Sequence, residues 1–284
     1  MATESQESRN TDETAHESHS GLLHFRTVER ILSLSLNTTA VVLIGFLWIP
    51  LAIMIFLSFA ENTTTIFPFE GFTLSNYAVT VSDGAMWNAV QGSLLIATVA
   101  ASIATVLGVL ASLALTRYAF KFKELYRTFG IIPMVIPGIV LGLSLRIYFQ
   151  EILGILPGFM TVVLAHSLYG IPFVLLIVTA RLYSFDESLE EAARDLGAGP
   201  LETFKDITLP VIAPAVGAGF LFAWIRSFED YIRALFLSGP NTNVLTIWMF
   251  SKIKNLDAPE LNVVSSLIVF GIAAALAIAM NFGN

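Results

Sequence analysis

The chain has 284 residues, of which 55% are hydrophobic and 13% are charged, whereas an average soluble domain carries about 25% charged residues. The mean hydropathy of +0.74 excludes an ordinary soluble enzyme and indicates a membrane protein. The formal net charge is −7 and cysteine is absent, which excludes a disulfide framework, a thiolate metal site and a cysteine nucleophile. The dipeptide Gly-Lys does not occur either, so the chain has no Walker A loop with which to bind ATP.

Residues 1–24 are polar, and five of the 22 acidic residues fall in the first twenty positions. Such a composition cannot bury enough apolar surface to offset the entropy lost on ordering, so we predict a disordered cytoplasmic tail, followed by a membrane domain over residues 25–284. The tail is not a secretory signal, because a long acidic stretch precedes the first apolar run. His16, His19 and His24 are interpreted as solvated tail residues and not as a metal-binding tract.

Six apolar runs follow the tail. A helix needs about 20 apolar residues to cross a bilayer, and backbone groups in lipid must bond within the protein, which favours helices for runs of this length. Five of the six runs are long enough as they stand. The run that is fifth in chain order is long enough only if a charged patch inside it is included. The six runs are Thr39–Phe59, Gln91–Leu115, Phe129–Phe149, Phe159–Ala180, Val211–Leu237 and Leu261–Met280. The sequence therefore predicts an all-α membrane protein with six transmembrane helices.

Lys and Arg are concentrated before the first run, between the second and third runs, and between the fourth and fifth runs. Because loops rich in these residues stay in the cytoplasm, we predict that both termini and the second and fourth loops are cytoplasmic; Lys252 and Lys254 in the last outer loop depart from the pattern. The outer stretch Ala60–Val90 is long, so we expect it to pack on the membrane surface or to contact a partner. Pro133 and Pro137 in the third run fit either a hinge or the ordinary tolerance of proline in packed membrane helices.

The fourth loop, residues 181–210, has the pattern of two short amphipathic helices. Ser184 and Glu187 match a capping box, which predicts the start of the first helix. Glu190 lies four residues before Arg194, a spacing at which an ion pair stabilises a helix. Three apolar residues form one stripe on this helix: Leu189, Ala193 and Leu196.

A glycine turn separates the two helices of this loop. Gly197 and Gly199 allow the first helix to end, and Pro200 suits the first position of the second helix. We expect the second helix to extend through Ile207, after which Pro210 leads into the fifth span. The two helices would form a compact cytoplasmic knob that another surface can approach closely.

The spacing of residues in this loop carries a resemblance to a known family. Glu191-Ala192-Ala193 is followed after three residues by Gly197, and after nine more by Ile207-x-Leu209-Pro210. This pattern resembles the EAA loop of ABC importer permeases. The resemblance implies the type I importer (MetI-like) permease fold, in which this loop forms a coupling helix that docks on an ATPase subunit. The residues to which it assigns the coupling role are Glu190, Glu191, Ala192, Ala193, Asp195, Leu196, Gly197, Ala198 and Gly199.

The same resemblance implies the partners of the chain. They are a dimer of ATPase subunits that binds ATP and Mg²⁺, a second permease subunit that we expect to be a homologue, a soluble extracytoplasmic substrate-binding protein, and the lipid of the cytoplasmic (inner) membrane. We expect the chain itself to bind no cofactor, no metal and no nucleic acid, and to be a transport subunit and not an enzyme.

Charged residues interrupt the fifth run near its outer end. Acidic residues at membrane depth cost roughly 2.5–3.5 kcal/mol each, so they usually face a partner or an aqueous path. In one interpretation four residues line the route of a cation, to which aromatic rings add cation–π attraction: Trp224, Glu229, Asp230 and Tyr231. In the other interpretation Arg226 and Arg233 neutralise the two acids in a closed network, because arginines three or four residues away on a helix reach them.

Three segments follow this patch: Ser238-Gly239-Pro240, residues 248–253 and Pro259-Glu260-Leu261-Asn262. They resemble the corresponding segments of the spermidine/putrescine permeases of the family. The similarity implies a polyamine substrate, although Arg226 and Arg233 are additions to the family pattern. Ferric iron, thiamine and an oxyanion stay as alternatives, because the binding protein is expected to set most of the selectivity.

An ion-coupled secondary transporter is the alternative from another functional class. It would explain six spans and charges inside the membrane, but it would not explain a two-helix loop with this spacing. A membrane-embedded enzyme has no support, because the sequence contains no paired His-Glu zinc motif and singles out no Ser/His/Asp set. His166 is isolated in an apolar run, so we expect it to hydrogen-bond to a neighbouring helix.

Overall fold

The computed structural model describes residues 35–61, 69–254 and 258–282. Over these ranges the regular structure is helical, apart from an isolated antiparallel bridge between Ala60 and Phe72, which confirms the predicted all-α class. The predicted tail over residues 1–24 lies outside the described residues. The described residues form two compact units, one within residues 1–76 and 262–284 and the other within residues 77–261.

The first unit contains a long apolar helix and a segment that folds back on the end of that helix. Helix α1 covers Ser35–Leu57, and none of its most apolar part is buried, as expected of a helix that faces lipid. The amide of Glu61 then donates to the carbonyl of Gly71 at 2.9 Å. Three rings pack together beside this turn, with centroids 4.9–5.4 Å apart: Phe56, Phe69 and Phe72.

The remaining helices are long in the predicted spans and short in the loops. Their bounds are α2, Ser75–Ser82; α3, Gly84–Arg117; α4, Lys123–Val135; α5, Gly138–Ile147; α6, Phe159–Tyr183; α7, Ser188–Asp195; α8, Pro200–Thr203; α9, Leu209–Phe228; α10, Ile232–Leu237; α11, Leu245–Lys254; and α12, Ala258–Phe282. Two π-helical turns, Tyr148–Ile152 and Phe204–Thr208, follow α5 and α8.

The core of the second unit lies where α3, α6 and α9 pack against one another. Small residues allow α3 and α6 to approach closely. A Cβ atom at Gly108 would lie 2.7 Å from the Cβ of Val174, and one at Gly170 would lie 2.9 Å from the Cβ of Ala104. Such contacts are typical of membrane helices, which associate through close van der Waals packing and not through the hydrophobic effect.

The third predicted span is broken and does not run straight. α4 and the helix from Gly138 to Ile152 meet at a bend of 104°. Ile136 has an extended backbone, with ψ of 129°, because the ring of Pro137 disfavours the helical conformation in the preceding residue. The structure therefore favours a break at Pro137 over a proline that is merely tolerated.

The fifth span is displaced toward the N-terminus from its predicted position. One helical segment extends from Pro200 to Phe228 and ends before Glu229, whereas the sequence led us to expect a span that continued to Leu237. The charged patch therefore falls after the helix, and α10 is a separate short helix that packs on α5 and α6. The error arose because the second helix of the fourth loop was assigned to the loop, while it is continuous with the span.

The described residues contain four unbroken helices that are long and apolar enough to cross a membrane: Ser35–Leu57, Gly84–Arg117, Phe159–Tyr183 and Pro200–Phe228. The bent pair of α4 with α5 and its π-helical turn supplies a fifth. Helix α12 stands in the place of the sixth predicted run.

Candidate functional site

The first helix of the fourth loop, α7, begins later than the sequence predicted. Its first residue is Ser188, whose amide donates to the carboxylate of Asp186 at 3.0 Å. The predicted capping box is wrong, since the hydroxyl of Ser184 donates to the carbonyl of Arg181 at 2.9 Å, at the end of α6. The pKa of Asp186 is lowered because its carboxylate accepts hydrogen bonds from the hydroxyl and the amide of Ser188. This stabilisation is present above the ordinary pKa of an aspartate and is lost as the pH falls through the lowered pKa.

The turn between α7 and α8 has the predicted form. Gly197 has a φ of +91°, a conformation that glycine adopts without steric cost. The amide of Ala198 reaches back to the carbonyl of Ala193 at 3.0 Å. The amide of Gly199 donates to Glu202 Oε2 at 2.9 Å, and Pro200 opens α8.

Glu190 is the buried residue of α7, and it ties α7 to other parts of the chain. Its Oε1 accepts hydrogen bonds from Arg117 Nη2 at 3.1 Å and from Thr208 Oγ1 at 2.7 Å. Arg117, in the last turn of α3, also donates to Glu187 at 2.5 Å and lies over the ring of Phe185 at 5.0 Å. We call Arg117, Glu187, Glu190 and Thr208 the Arg117–Glu190 anchor. It joins the fourth loop to the end of α3 and to the π-helical turn before α9.

Two of the three residues of the predicted apolar stripe of α7, Leu189 and Leu196, are exposed, and Ala193 is half-buried. Leu196 is 89% exposed and Leu201 is 77% exposed, so two apolar side chains protrude at the turn. The other predicted coupling residues fall into two groups: Glu191, Ala192, Asp195 and Gly197 are exposed, whereas Ala193, Ala198 and Gly199 are half-buried. The loop thus presents a surface that is both acidic and apolar.

A cavity of about 590 Å³ lies beside this surface. The last turns of α3 form one wall and the fourth loop forms the other. Its polar lining includes Arg117, Glu187, Glu190, Glu191 and Arg194. Two arginines and three carboxylates make this a charged recess, and apolar residues such as Leu113 and Phe204 also line it.

The two acids of the charged patch lie after α9 and point in different directions. The side chain of Asp230 is 2% exposed and forms an ion pair with Arg233, which is 8% exposed. The guanidinium of Arg233 lies 3.5 Å from the ring centroid of Tyr169. Glu229, in contrast, is 49% exposed and pairs with Arg226, which is 37% exposed. Each acid thus has its own arginine: both acids are neutralised, but in two separate pairs and not in one closed network.

The two aromatic residues that were assigned to a cation's route lie against other rings. Trp224 stacks on Phe228 with 5.2 Å between centroids, and its indole N–H donates to Thr98 Oγ1 at 3.1 Å. The ring of Tyr231 lies 4.6 Å from that of Phe250. Their role in a substrate pathway stays a prediction.

His166 joins two helices, as the sequence led us to expect. Its Nδ1 lies 2.8 Å from the hydroxyl of Ser227, so α6 and α9 share a buried hydrogen bond. Sequence reasoning missed three residues of the candidate sites: Arg117, Thr208 and Tyr169. Arg117 follows an apolar run, as many cytoplasmic arginines do, so its position does not reveal its partner. Thr208 and Tyr169 belong to no sequence motif, and both contact residues that are distant in the chain. Over the described ranges, no group of three His, Asp or Glu residues is placed to hold a metal ion.

Comparison with known proteins places this geometry in a family. The family described as "Binding-protein-dependent transport system inner membrane component" matches residues 104–283. The chain is 33% identical over 225 residues to the spermidine/putrescine transport system permease protein PotC of Escherichia coli K12, covering 79% of this chain and 84% of that one. It is 34% identical over 237 residues to the putrescine transport system permease protein PotI of the same strain, covering 81% and 84%.

Solved structures share the fold at lower identity. A bacterial ABC transporter involved in alginate import matches with a TM-score of 0.68 at 18% identity, covering 89% of this chain and 96% of that one. The MetNI methionine ABC transporter matches with a TM-score of 0.56 at 20% identity, covering 69% and 93%. These similarities confirm the predicted MetI-like permease fold. The chain therefore belongs to the inner membrane components of binding-protein-dependent transport systems, and it is a multi-pass permease of the ABC importer class.

Proposed function

We propose that this chain forms one half of the translocation pathway of a polyamine importer in the cytoplasmic (inner) membrane, with its N-terminus in the cytoplasm. The other half is a second, homologous permease subunit. A dimer of ATPase subunits supplies ATP and Mg²⁺ chemistry on the cytoplasmic side, and a soluble binding protein delivers the substrate on the other side.

The exposed surface of the fourth loop is the observation that carries the transport role. Leu196 and Leu201 protrude although they are apolar, and burying such side chains against a partner yields about 25 cal/mol for each Å² removed from water. The Arg117–Glu190 anchor holds this surface on the ends of two spans. An exposed apolar surface can bind a partner, and its fixed connection to the spans allows a movement of that partner to displace the membrane helices. We assign the coupling role to residues 190–199.

The polyamine substrate rests on relatives and not on the geometry. Two permeases that are 33% and 34% identical to this chain carry spermidine/putrescine and putrescine in their names. Glu229 is half-exposed, so its carboxylate is accessible to a cation near the end of α9. Ferric iron, thiamine and an oxyanion are the other substrates to compare.

Transport by the reconstituted importer tests the substrate. The complex of both permeases and the ATPase, in proteoliposomes with the binding protein, should accumulate labelled spermidine or putrescine when ATP is supplied. Iron, thiamine and molybdate should accumulate no faster than in vesicles that hold an importer with an inactive ATPase. Uptake of one of these three in preference to polyamines would refute the polyamine assignment.

Site-directed crosslinking tests the docking surface. The chain has no cysteine, so a single introduced cysteine is its one reactive thiol. L196C should crosslink to an ATPase subunit. Leu156 is an exposed leucine just before α6, and Leu196 lies beyond the other end of α6. L156C is the matched control, because α6 has 25 residues and is about 37 Å long. Crosslinking at Leu156 and not at Leu196 would place the ATPase on the wrong side and refute the proposal.

A further inference from the structure

Arg226 occupies a site of the kind that binds a cation. Its guanidinium lies over the ring of Tyr169 at 5.5 Å and over that of Phe173 at 5.9 Å. Its Nη2 donates to the phenol oxygen of Tyr169 at 2.8 Å, and its Nη1 forms an ion pair with Glu229. We call Tyr169, Phe173 and Glu229 the Arg226 seat. Arg233 covers the ring of Tyr169 at 3.5 Å, so the face of Phe173, the phenol oxygen of Tyr169 and the carboxylate of Glu229 are the groups of the seat that can bind an alkylammonium.

The charges around the seat balance only while Arg226 is in place. Arg226 and Arg233 carry two positive charges, and Glu229 and Asp230 carry two negative charges. The Asp230–Arg233 pair is almost fully buried, so its charges stay matched to each other. If Arg226 withdraws, Glu229 is left with one uncompensated negative charge. The vacated seat therefore has the charge and the lining for one monovalent cation.

Arg226 is the exchangeable member of the cluster. Its side chain is 37% exposed and that of its partner Glu229 is 49% exposed. The Arg226–Glu229 pair is therefore open to exchange, unlike the almost fully buried Asp230–Arg233 pair. Arg226 is also in the last turn of α9, next to the break in helical structure at residues 229–231. Both features allow its long side chain to leave without unfolding a helix.

We propose that Arg226 is a tethered counter-ion that exchanges with the ammonium groups of the substrate, so that the seat holds either the guanidinium or one substrate amine. This inference rests on the proposed polyamine function. The exchange keeps the cluster neutral at every stage, and a bound ammonium is expelled again when the guanidinium returns. Arg226 thereby sets the affinity of the pathway for cations and prevents a polyamine from being held too tightly.

Breaking the pair from either side tests the exchange. Equilibrium dialysis of labelled spermidine against the purified permease–ATPase complex, without the binding protein, measures affinity for the pathway. R226Q should bind spermidine about tenfold more tightly than wild type, because no internal cation competes. E229Q should bind about tenfold more weakly, because the carboxylate is gone. Each change corresponds to about 1.4 kcal/mol. A merely structural ion pair predicts that both variants change alike, and a shift in the same direction, or no shift, would overturn the proposal.

Two further variants keep the test valid if R226Q does not fold. R226K retains the competing charge and should bind like wild type. Y169F removes the phenol oxygen from the guanidinium and from an incoming ammonium alike but keeps the ring, and should change the affinity by less than about threefold. The matched control is R146Q, because Arg146 is an arginine of another span that donates to the carbonyl of Phe236 at 3.1 Å; its affinity should not change. A tenfold change of affinity in R226K or Y169F would also overturn the proposal.

The exchange at the Arg226 seat and the proposed polyamine function can be refuted independently. ATP-driven uptake by the wild-type importer decides whether polyamines are the substrate. The opposite shifts of R226Q and E229Q, each measured against wild type, decide whether the seat exchanges cations. A wild-type importer that carries polyamines, with R226Q and E229Q indistinguishable, would leave the function intact and remove the seat.

Discussion

Replacing Glu190 with glutamine removes the carboxylate that ties α7 to Arg117 and Thr208. Glutamine keeps the shape and can still accept from Thr208, but Arg117 loses a charged partner in a place where its side chain is only 14% exposed. Breaking a buried ion pair by removing one partner costs about 3–5 kcal/mol. Because Arg117 retains Glu187, we expect the lower end, about 3 kcal/mol. For a chain of this size that loss lowers the melting temperature by ~6–12 °C.

Thermal denaturation of the purified complex measures this effect. E191Q is the matched control, since Glu191 is the neighbouring acid and is exposed, and we expect it to change the melting temperature by less than about 2 °C. A double-mutant cycle with R117Q should give a coupling energy of about 1–3 kcal/mol between Arg117 and Glu190. Equal effects of E190Q and E191Q, or a coupling energy near zero, would show that the anchor does not hold the loop.

The same variants separate stability from coupling. If the anchor transmits the motion of the fourth loop, E190Q at a temperature where it stays folded should hydrolyse ATP at close to the wild-type rate but transport several times less substrate per ATP. The measurement is the ratio of uptake to phosphate release in the same proteoliposomes. If a folded E190Q importer has the wild-type ratio of uptake to phosphate release, the Arg117–Glu190 anchor is not needed for coupling.

Three further changes test other parts of the chain. Gly197→Val forces a branched side chain into a backbone with φ of +91°, at a cost of about 1–3 kcal/mol, and should lower transport per ATP while the spans stay folded; an unchanged ratio would refute its role in the turn. Gly170→Val should lower the free energy of unfolding by about 1–3 kcal/mol, because its side chain would collide with Ala104. Gly217→Val is the control, since a Cβ at Gly217 meets open space. Equal denaturation curves for the two variants would contradict the close packing at Gly170. Asp186→Ala should speed amide exchange in α7 at neutral pH more than Asp195→Ala does, and equal rates would refute the cap.

Local patterns predicted those parts of the molecule that depend on neighbours in sequence. The turn at Gly197 and the start of α8 at Pro200 follow from the conformations that these two residues favour. The long apolar runs became helices because lipid leaves the backbone no other partner. The break at Pro137 was one of two interpretations, since the effect of a membrane proline depends on packing that the sequence does not contain.

Long-range pairing could not be predicted in the same way. Glu190 was assigned to a docking surface, but 73 positions along the chain separate it from Arg117, to which it bonds. The Asp230–Arg233 and Arg226–Glu229 pairs were expected as alternatives because they are close in sequence. Their common neighbour Tyr169, on α6, was not expected, because which ring faces a charge is decided only when two helices pack.

The continuity of the fifth span links the two candidate sites. Residues 200–228 form one helical segment of 29 residues, about 43 Å long at 1.5 Å per residue. Its first turn carries the exposed Leu201, and its last turn carries Arg226. A π-helical turn at Phe204–Thr208 interrupts the regular spacing but not the helical path, and Thr208 in that turn bonds to the anchor. Because a helix resists stretching far more than it resists tilting, a partner that displaces Leu201 also moves the end that holds Arg226. In the proposed importer, the ATPase would therefore act on one end of this helical segment and the cation exchange would take place at the other end.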